Sequence, residues 1–416
     1  MEFNQIIQNY LKSTPSVKTL INWYDLYEGH YVRLDKNFQK RFFGKAIEKA
    51  GNYSELGRQL NIGRKTISSC SKGKTNPQIK TLKKIANYVS YPFEDINCKI
   101  RQIHRLRPNL PFNLNNKEGA EIRAAFLSDG HVDKNPVKPA QYCALEKELH
   151  KKLIELCKNI FGRFECKTYF NSRSHITKFP AAIGSALELG GVPRGNKMLS
   201  NIHVPKDIVL GNKEIQVYYL RRVFDDEGDV CFDKSGKRAV RISRSVSLKN
   251  IDFDIPPERW VGGIKIPGYI KHNLILGEQI LLINLGIDAK VYSEGVYKNK
   301  KGKITAKWRI QIGQQDSIRK FAESINFSLK RKREKLDKIL ESYQYRKLPN
   351  GQGKKEALDF IKKVLKKKGF LKFSNLGMEL MKSGRSYDLA GYYLKFFIDQ
   401  KIIKKTQRGV YTYDKS

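Results

Sequence analysis

The sequence predicts an α+β protein whose duplicated core is flanked by a helical module before it and by three helices with a β-hairpin after it. Residues 121–132 (EIRAAFLSDGHV) and 219–230 (YLRRVFDDEGDV) repeat one pattern, an apolar helix that ends in acid-glycine and runs into an extended segment. A similar order, αββαββα, surrounds each copy. The first copy places strands near 130–134, 138–144, 163–169 and 173–178, the second near 229–234, 239–245, 289–297 and 303–313. A repeat of about 100 residues is too long for a solenoid unit and implies one domain of two pseudo-symmetric halves.

The boundaries follow from breaks in composition. Residues 1–100 form a first domain, and 101–118, rich in Pro, Asn and Arg, read as a linker. The core spans 119–327, with halves at 119–210 and 211–327. Residues 328–353 hold a basic helix (Lys330-Arg331-Lys332-Arg333) and a flexible joint around Pro349 to Gly353. The last domain is 354–416. The first 35 residues carry a weak helical pattern (Ile6, Ile7, Tyr10, Leu11) with no assignable role.

In the first domain, residues 52–73 read as two short helices. Ser54 is the expected N-cap, Leu56 and Leu60 face inward, Asn61 takes the left-handed turn, and Ile62 fills the space between the helices. The second helix begins near Arg64 with Ile67 inward, leaving Arg64, Lys65, Ser68 and Ser69 outside. So short a turn presents the second helix, N-terminus first, to a major groove. Over about residues 40–100 the segment resembles the Cro-like phage repressors, with Gly57 where that family favours alanine.

In the last domain, apolar positions mark helices over 357–365, 376–381 and 389–398. A hairpin follows, Ile402 to Lys405 and Val410 to Tyr413, turning at Gln407-Arg408-Gly409. The pattern is that of a winged helix, a module that binds DNA or docks proteins.

The formal net charge is +39, an excess no fold requires and one that nucleic acid would neutralise. No apolar run is long enough to span a bilayer and no signal peptide opens the chain, so no membrane role is expected. With 40% hydrophobic residues the chain builds real cores. The cysteines (Cys70, Cys98, Cys143, Cys157, Cys166, Cys231) form no CxxC pair and read as reduced, mostly buried thiols. A cytoplasmic monomer is expected, nucleoid-associated if prokaryotic.

Asp129 and Glu227 stand at helix C-termini, where the macrodipole disfavours carboxylates by a few tenths to ~1 kcal/mol. A divalent metal would offset that cost. If the two helices lie side by side, both acids reach one point and supply two hard ligands to Mg²⁺, with phosphate and water completing its shell.

The two segments resemble the motifs of the LAGLIDADG family of homing endonucleases, in its two-motif single-chain form. Ile122 to Gly130 lies on the first motif and Leu220 to Gly228 on the second. The stretches Leu187 to Lys197 and Ile202 to Pro205 resemble that family's link between halves. The resemblance implies Asp129 and Glu227 as metal-binding catalytic acids, Mg²⁺ (with Mn²⁺ substituting) as cofactor, and double-stranded DNA as substrate, cut at a long site across the minor groove. It implies a basic residue near the end of the second strand of each half, matched by Lys147 and by Arg244 or Lys249. The small helix-packing residue of the family falls on Ala124 in the first motif, whereas the second has Arg222. Some members of the family act without cleavage, as regulators or RNA splicing factors. The termini lack the residues of protein splicing, so a free-standing protein is expected.

The last strand of the core supports DNA independently. Lys303, Thr305, Lys307, Arg309 and Gln311 alternate with apolar residues, so one face is polar and free of acid. At ~3.4 Å per residue that face runs ~27 Å, about eight base pairs, and Arg and Gln are suited to guanine and adenine edges.

Overall fold

The computed structural model describes residues 3–197, 202–232, 237–247, 272–298, 304–343, 352–382, 387 and 389–413. Lys249, Lys303 and the 349–351 part of the joint lie outside them. The chain divides into two compact units, one of residues 1–227, 243–285 and 291–309, the other of 228–242, 286–290 and 310–416.

In the first unit, α1 (Phe3–Ser13) gives the N-terminus a role the sequence left open. Its Tyr10 is buried and accepts a 2.8 Å bond from the Val204 amide. After β1 (Leu20–Ile21) and β2 (Val32–Leu34) come α2 (Lys36–Ala50), α3 (Tyr53–Leu60), α4 (Arg64–Ser71), α5 (Ile79–Tyr88) and α6 (Phe93–Ile96). The N-cap of α3 is Asn52, whose side chain accepts from the Ser54 and Glu55 amides; the expected cap, Ser54, is already helical. Asn61 is left-handed, φ 50° and ψ 56°, as expected. Leu56 and Ile67 are buried, while Leu60 and Ile62 are only half-buried. Gly57 has a packing role at this turn. A Cβ there would lie 2.7 Å from the Ile62 carbonyl oxygen, so glycine is what lets the turn fold back onto the helix.

Residues 101–118 are not an irregular linker. They contain most of β3 (Ile100–Ile103), then β4 (Leu106–Pro108) and β5 (Phe112–Asn113). β3 joins β2, a tight turn at His104-Arg105 leads to β4, and β4 pairs with a strand of the core. Proline and arginine sit here at sheet positions, and long-range pairing outweighs the local composition.

The first half of the core runs α7 (Lys117–Leu127), β6 (Gly130–His131), β7 (Ala140–Ala144), α8 (Lys147–Phe161), β8 (Gly162–Phe164), β9 (Thr168–Phe170), β10 (His175–Phe179) and α9 (Ala181–Leu189). The short α10 (Lys206–Val209) leads to the second half: α11 (Lys213–Glu227), β11 (Gly228–Phe232), β12 (Arg238–Ser247), α12 (Asn273–Asn284), β13 (Lys290–Lys298), β14 (Ile304–Ile312) and α13 (Gln315–Ser324). The sheets have matching orders, β6-β7-β10-β9 and β11-β12-β14-β13, so the duplication read from two motifs extends to the strand topology. The expected single strand at 163–169 is two: β8 joins the sheet β2-β3-β4-β8, and only β9 stays in the core sheet.

α7 packs against α11. Arg222 does not hold them apart. Its buried guanidinium lies 4.7 Å from the Tyr142 ring centroid on β7 and donates to the Leu149 carbonyl on α8 and to Asp226. Arg123, also fully buried, forms a two-bond pair with Asp207 of α10 at 2.6 and 2.7 Å.

In the second unit, α14 (Lys330–Glu341) is the expected basic helix. The C-terminal module comprises α15 (Gln352–Lys368), β15 (Leu371–Lys372), α16 (Phe373–Lys382), α17 (Leu389–Asp399), β16 (Ile403–Gln407) and β17 (Val410–Tyr413). Its three-stranded sheet, β15-β17-β16, gains a strand the sequence did not reveal. A core of its own, built on Ile361, Leu376, Leu394, Phe397 and Ile403, holds it together. All six cysteines are free, and only Cys70 and Cys157 are buried, fewer than expected.

Gly57→Ala tests the α3–α4 turn. The added methyl should lower hydrogen-exchange protection of the α3 and α4 amides by about 1–3 kcal/mol, the usual cost of overpacking against backbone. Unchanged or increased protection would contradict the close approach at Ile62.

Candidate functional site

The α7 and α11 helices each end in acid and run at once into a strand. Asp129 follows α7 and its C-cap Ser128, and Asp226 and Glu227 close α11. The three carboxylates act on one another. Burial, reinforced by the charges of Asp226 and Glu227, raises the Asp129 carboxyl to about 7. Asp226, whose side chain is fully buried, is raised to about 6, again chiefly by burial. Its oxygens are held by the Tyr142 hydroxyl at 2.7 Å and by Arg222 Nε at 3.2 Å. The Asp129 carboxylate has no hydrogen-bond or ion-pair partner among the described residues.

Two cations face the acids. Lys197 donates from Nζ to the Phe126 and Leu127 carbonyls at 3.2 Å each, and to the Ser128 carbonyl. These are the last carbonyls of α7, so the ammonium neutralises the helix C-terminus. Burial and the Arg244 charge lower the amine to about 8, against the attraction of the acids. Arg244, on β12, donates to Glu227 Oε1 at 3.2 Å, to the Ser128 hydroxyl at 3.2 Å, and to both oxygens of buried Glu278 on α12 at 2.6 and 3.3 Å. Part of the cost of placing acids at helix ends, expected to be offset by a divalent metal, is offset by the chain's own Lys197 and Arg244.

Of the residues read as catalytic, Asp129, Glu227 and Arg244 come together and Lys147 does not. Lys147 is the exposed first residue of α8, beyond the end of β7. The lysine at the site is Lys197, in the link between halves. Asp226, Glu278 and Tyr142 were also missed. Asp226 adjoins Glu227 in the motif, so the doubled acid was a visible signal; Glu278 stood in an apolar helix as its one buried charge.

Among the described residues no group of three or more His, Cys, Asp or Glu side chains is arranged to hold a metal ion. The protein offers instead two carboxylates, Asp129 and Glu227, to a hard cation. A desolvated, unpartnered carboxylate beside two others fits such an ion, whose remaining ligands would come from water and phosphate.

The expected DNA-facing residues fall on two surfaces. Arg64 and Lys65 are exposed at the start of α4, while Ser68 and Ser69 are half-buried. Thr305, Lys307, Arg309 and Gln311 alternate on β14 with buried Ala306, Trp308, Ile310 and Ile312. That face is not free of acid. Glu294 of β13 pairs with Lys307 at 3.0 Å and Arg309 at 3.2 Å, a cross-strand contact that one strand's sequence does not reveal.

The acid cluster sets a pH dependence. A carboxyl raised in the folded state binds its proton there more tightly than in the unfolded chain, so its contribution to stability is lost as pH rises. For Asp129 and Asp226 that loss runs from about pH 4 and is complete just above pH 7, with Lys197 opposing it above about pH 8. In chelator, the stability of the wild type relative to Asp129→Asn should fall between pH 5 and pH 8. Asp129→Asn should be the more stable protein at pH 8, by ~1–3 kcal/mol, and the gap should close below pH 5. A wild type more stable than Asp129→Asn at pH 8 without metal would contradict the cluster.

No family model and no curated protein matches the sequence. Among solved structures, the chain is similar to full-length DUF199/WhiA from Thermotoga maritima, with 14% identity and a TM-score of 0.35 over 70% of this chain and 93% of that one. It is also similar to mesophilic variants of the homing endonuclease I-DmoI, with 13% identity and a TM-score of 0.33 over 54% of this chain and 98% of that one. A third similarity is to the N-terminal LAGLIDADG domain of DUF199/WhiA, with 13% identity and a TM-score of 0.31 over 54% and 90% of the two chains.

Proposed function

We propose that this protein is a site-specific, metal-dependent DNA endonuclease of the LAGLIDADG type that grips a long duplex through several modules. The observation that carries the proposal is the meeting of Asp129 and Glu227 at the ends of two packed helices, each acid belonging to one copy of a duplicated αββαββα unit. Charge supports the substrate, since an excess of +39 calls for a polyanion.

Asp129 and Glu227 would hold Mg²⁺, or Mn²⁺ in its place. The ion, when bound, supplies an activated water and neutralises charge on the scissile phosphate. Glu278 fixes the Arg244 guanidinium beside Glu227, where it can stabilise charge developing on that phosphate. Lys197 keeps the end of α7 neutralised, so Asp129 need not serve the helix. The α3–α4 pair would enter a major groove with Arg64 and Lys65 leading, and the β14 face would read bases with Thr305, Lys307, Arg309 and Gln311. The C-terminal three-helix module would act as a winged helix, extending the footprint and raising affinity by tethering.

A second reading is a sequence-specific regulator that keeps the fold without cutting. The Arg244–Glu227 pair favours it, because a carboxylate already satisfied by a guanidinium does not require a metal.

The test selects the bound sequence first and then assays cutting on it. Asp129→Asn and Glu227→Gln are nearly isosteric. Each should lower double-strand cleavage in Mg²⁺ by at least ~100-fold, because metal-assisted activation of water supplies several kcal/mol. Metal-free binding should persist or tighten, since each change removes a charge that repels phosphate. A wild type that binds its selected site yet never cuts it in Mg²⁺ or Mn²⁺ would leave the regulator as the answer.

A further inference from the structure

We infer that the sheet β2-β3-β4-β8, with the adjoining edge of β9 and β10, forms a second track for the phosphate backbone of duplex DNA, outside both surfaces assigned above. The inference rests on the DNA-binding reading and extends its footprint.

A cavity of about 670 Å³ opens here, lined by Arg105, Arg107, Arg163, Lys167 and Lys178, against one acid, Glu165. The cations come from separate parts of the sequence. Arg105 sits in the β3–β4 turn and Arg107 on β4; Arg163 is on β8 and Lys167 in the loop before β9; Lys178 is on β10. All five are exposed. Only the pairing of β4 with β8, which joins the N-terminal segment to the core, brings them to one groove.

The register gives an independent reason to look for an anion. Arg107 and Arg163 stand directly opposite each other in the antiparallel β4–β8 pair. Like charges at opposed positions destabilise a sheet. Neither arginine has an ion-pair partner among the described residues, whereas nearby Arg101 pairs with Asp35 and Arg123 with Asp207. The sheet therefore keeps two uncompensated guanidiniums side by side, an arrangement that phosphates relieve and that suits their bidentate recognition.

The lining, five cations against one exposed aromatic ring, Tyr169, favours contacts to the phosphate backbone of a duplex over stacking of unpaired bases. The Tyr169 ring already faces the Lys178 ammonium at 5.3 Å, and Phe170 lies against His175 with ring centroids 5.0 Å apart. Arg105, Arg107, Arg163 and Lys167, in contrast, have no ion-pair or ring partner among the described residues, which leaves them for backbone tracking.

The experiment uses the full chain and a 40-base-pair duplex of random sequence, with anisotropy measured over a salt series. The variant Arg107→Gln/Arg163→Gln/Lys167→Gln should bind at least ~10-fold more weakly at low salt, and its log–log salt slope should shrink by about 2–3, since each phosphate no longer neutralised removes about 0.9 from it. Arg107→Lys/Arg163→Lys keeps the charge and should keep the slope within about 0.5 of wild type. A glutamine variant with the wild-type slope overturns this inference alone. So does a lysine variant whose slope falls as far as the glutamine variant's, because the arginines would then act through the fold. A larger drop in affinity for a 40-nucleotide single strand than for the duplex overturns the choice of ligand. A wild type without salt-dependent duplex binding overturns the DNA-binding reading and this inference together.

Discussion

The structure depends on a charge balance at the place where two helices end. The α7 and α11 helices bring Asp129, Asp226 and Glu227 into a partly desolvated space, where carboxylates oppose both each other and the helix dipoles. Left alone, such a cluster would oppose the packing of α7 against α11. Lys197 neutralises one helix end, Arg222 with Tyr142 holds Asp226, and Arg244 bridges Glu227 to Glu278. Among the described residues Asp129 is left without a hydrogen-bond or ion-pair partner, and its carboxyl is raised further than that of Asp226. In the proposed function, this asymmetry makes Asp129 the carboxylate from which a hard cation would gain most.

The same balance explains why a buried arginine is tolerated at the helix interface. A guanidinium at position 222 would be costly if it faced apolar side chains of α7. It reaches instead the Tyr142 ring, the Leu149 carbonyl and the Asp226 carboxylate, although its Nη2 has no hydrogen-bond partner among the described residues. Around this centre the unit is extended by secondary structure and not by loops. α1 buries Tyr10 against the link between halves, and β4 adds the N-terminal sheet to the core through β8. The helical module in the same unit is therefore joined to the core by a sheet, with no slack tether between them.

Much of this was legible in the sequence, for identifiable reasons. The two motifs were visible because an acid-glycine at the end of an apolar helix is locally disfavoured and so stands out. The strand β14 was visible because strict alternation survives in one strand's sequence. What stayed hidden is what arises only between segments distant in sequence. Residues 101–118 look irregular until β4 meets β8. Lys147 matched a spacing, but the site lysine is Lys197, delivered by a loop whose path depends on tertiary structure. Glu294 answers Lys307 and Arg309 from a neighbouring strand, so the acid-free face of β14 could be judged only after pairing. Ser54 lost the helix cap to Asn52 by two residues, a shift within the usual uncertainty of helix ends.

The most direct measurement is of metal retained at the acid pair, independent of any cutting. Full-length protein bound to duplex DNA at pH 8 is titrated with Mn²⁺, and bound ion is counted by electron paramagnetic resonance. The expected result is about one Mn²⁺ held per chain, lost in both Asp129→Asn and Glu227→Gln, as two hard oxygen ligands at one point require. Equal Mn²⁺ retention by wild type and both variants, or none by wild type, would contradict the claim that these two acids form a metal site.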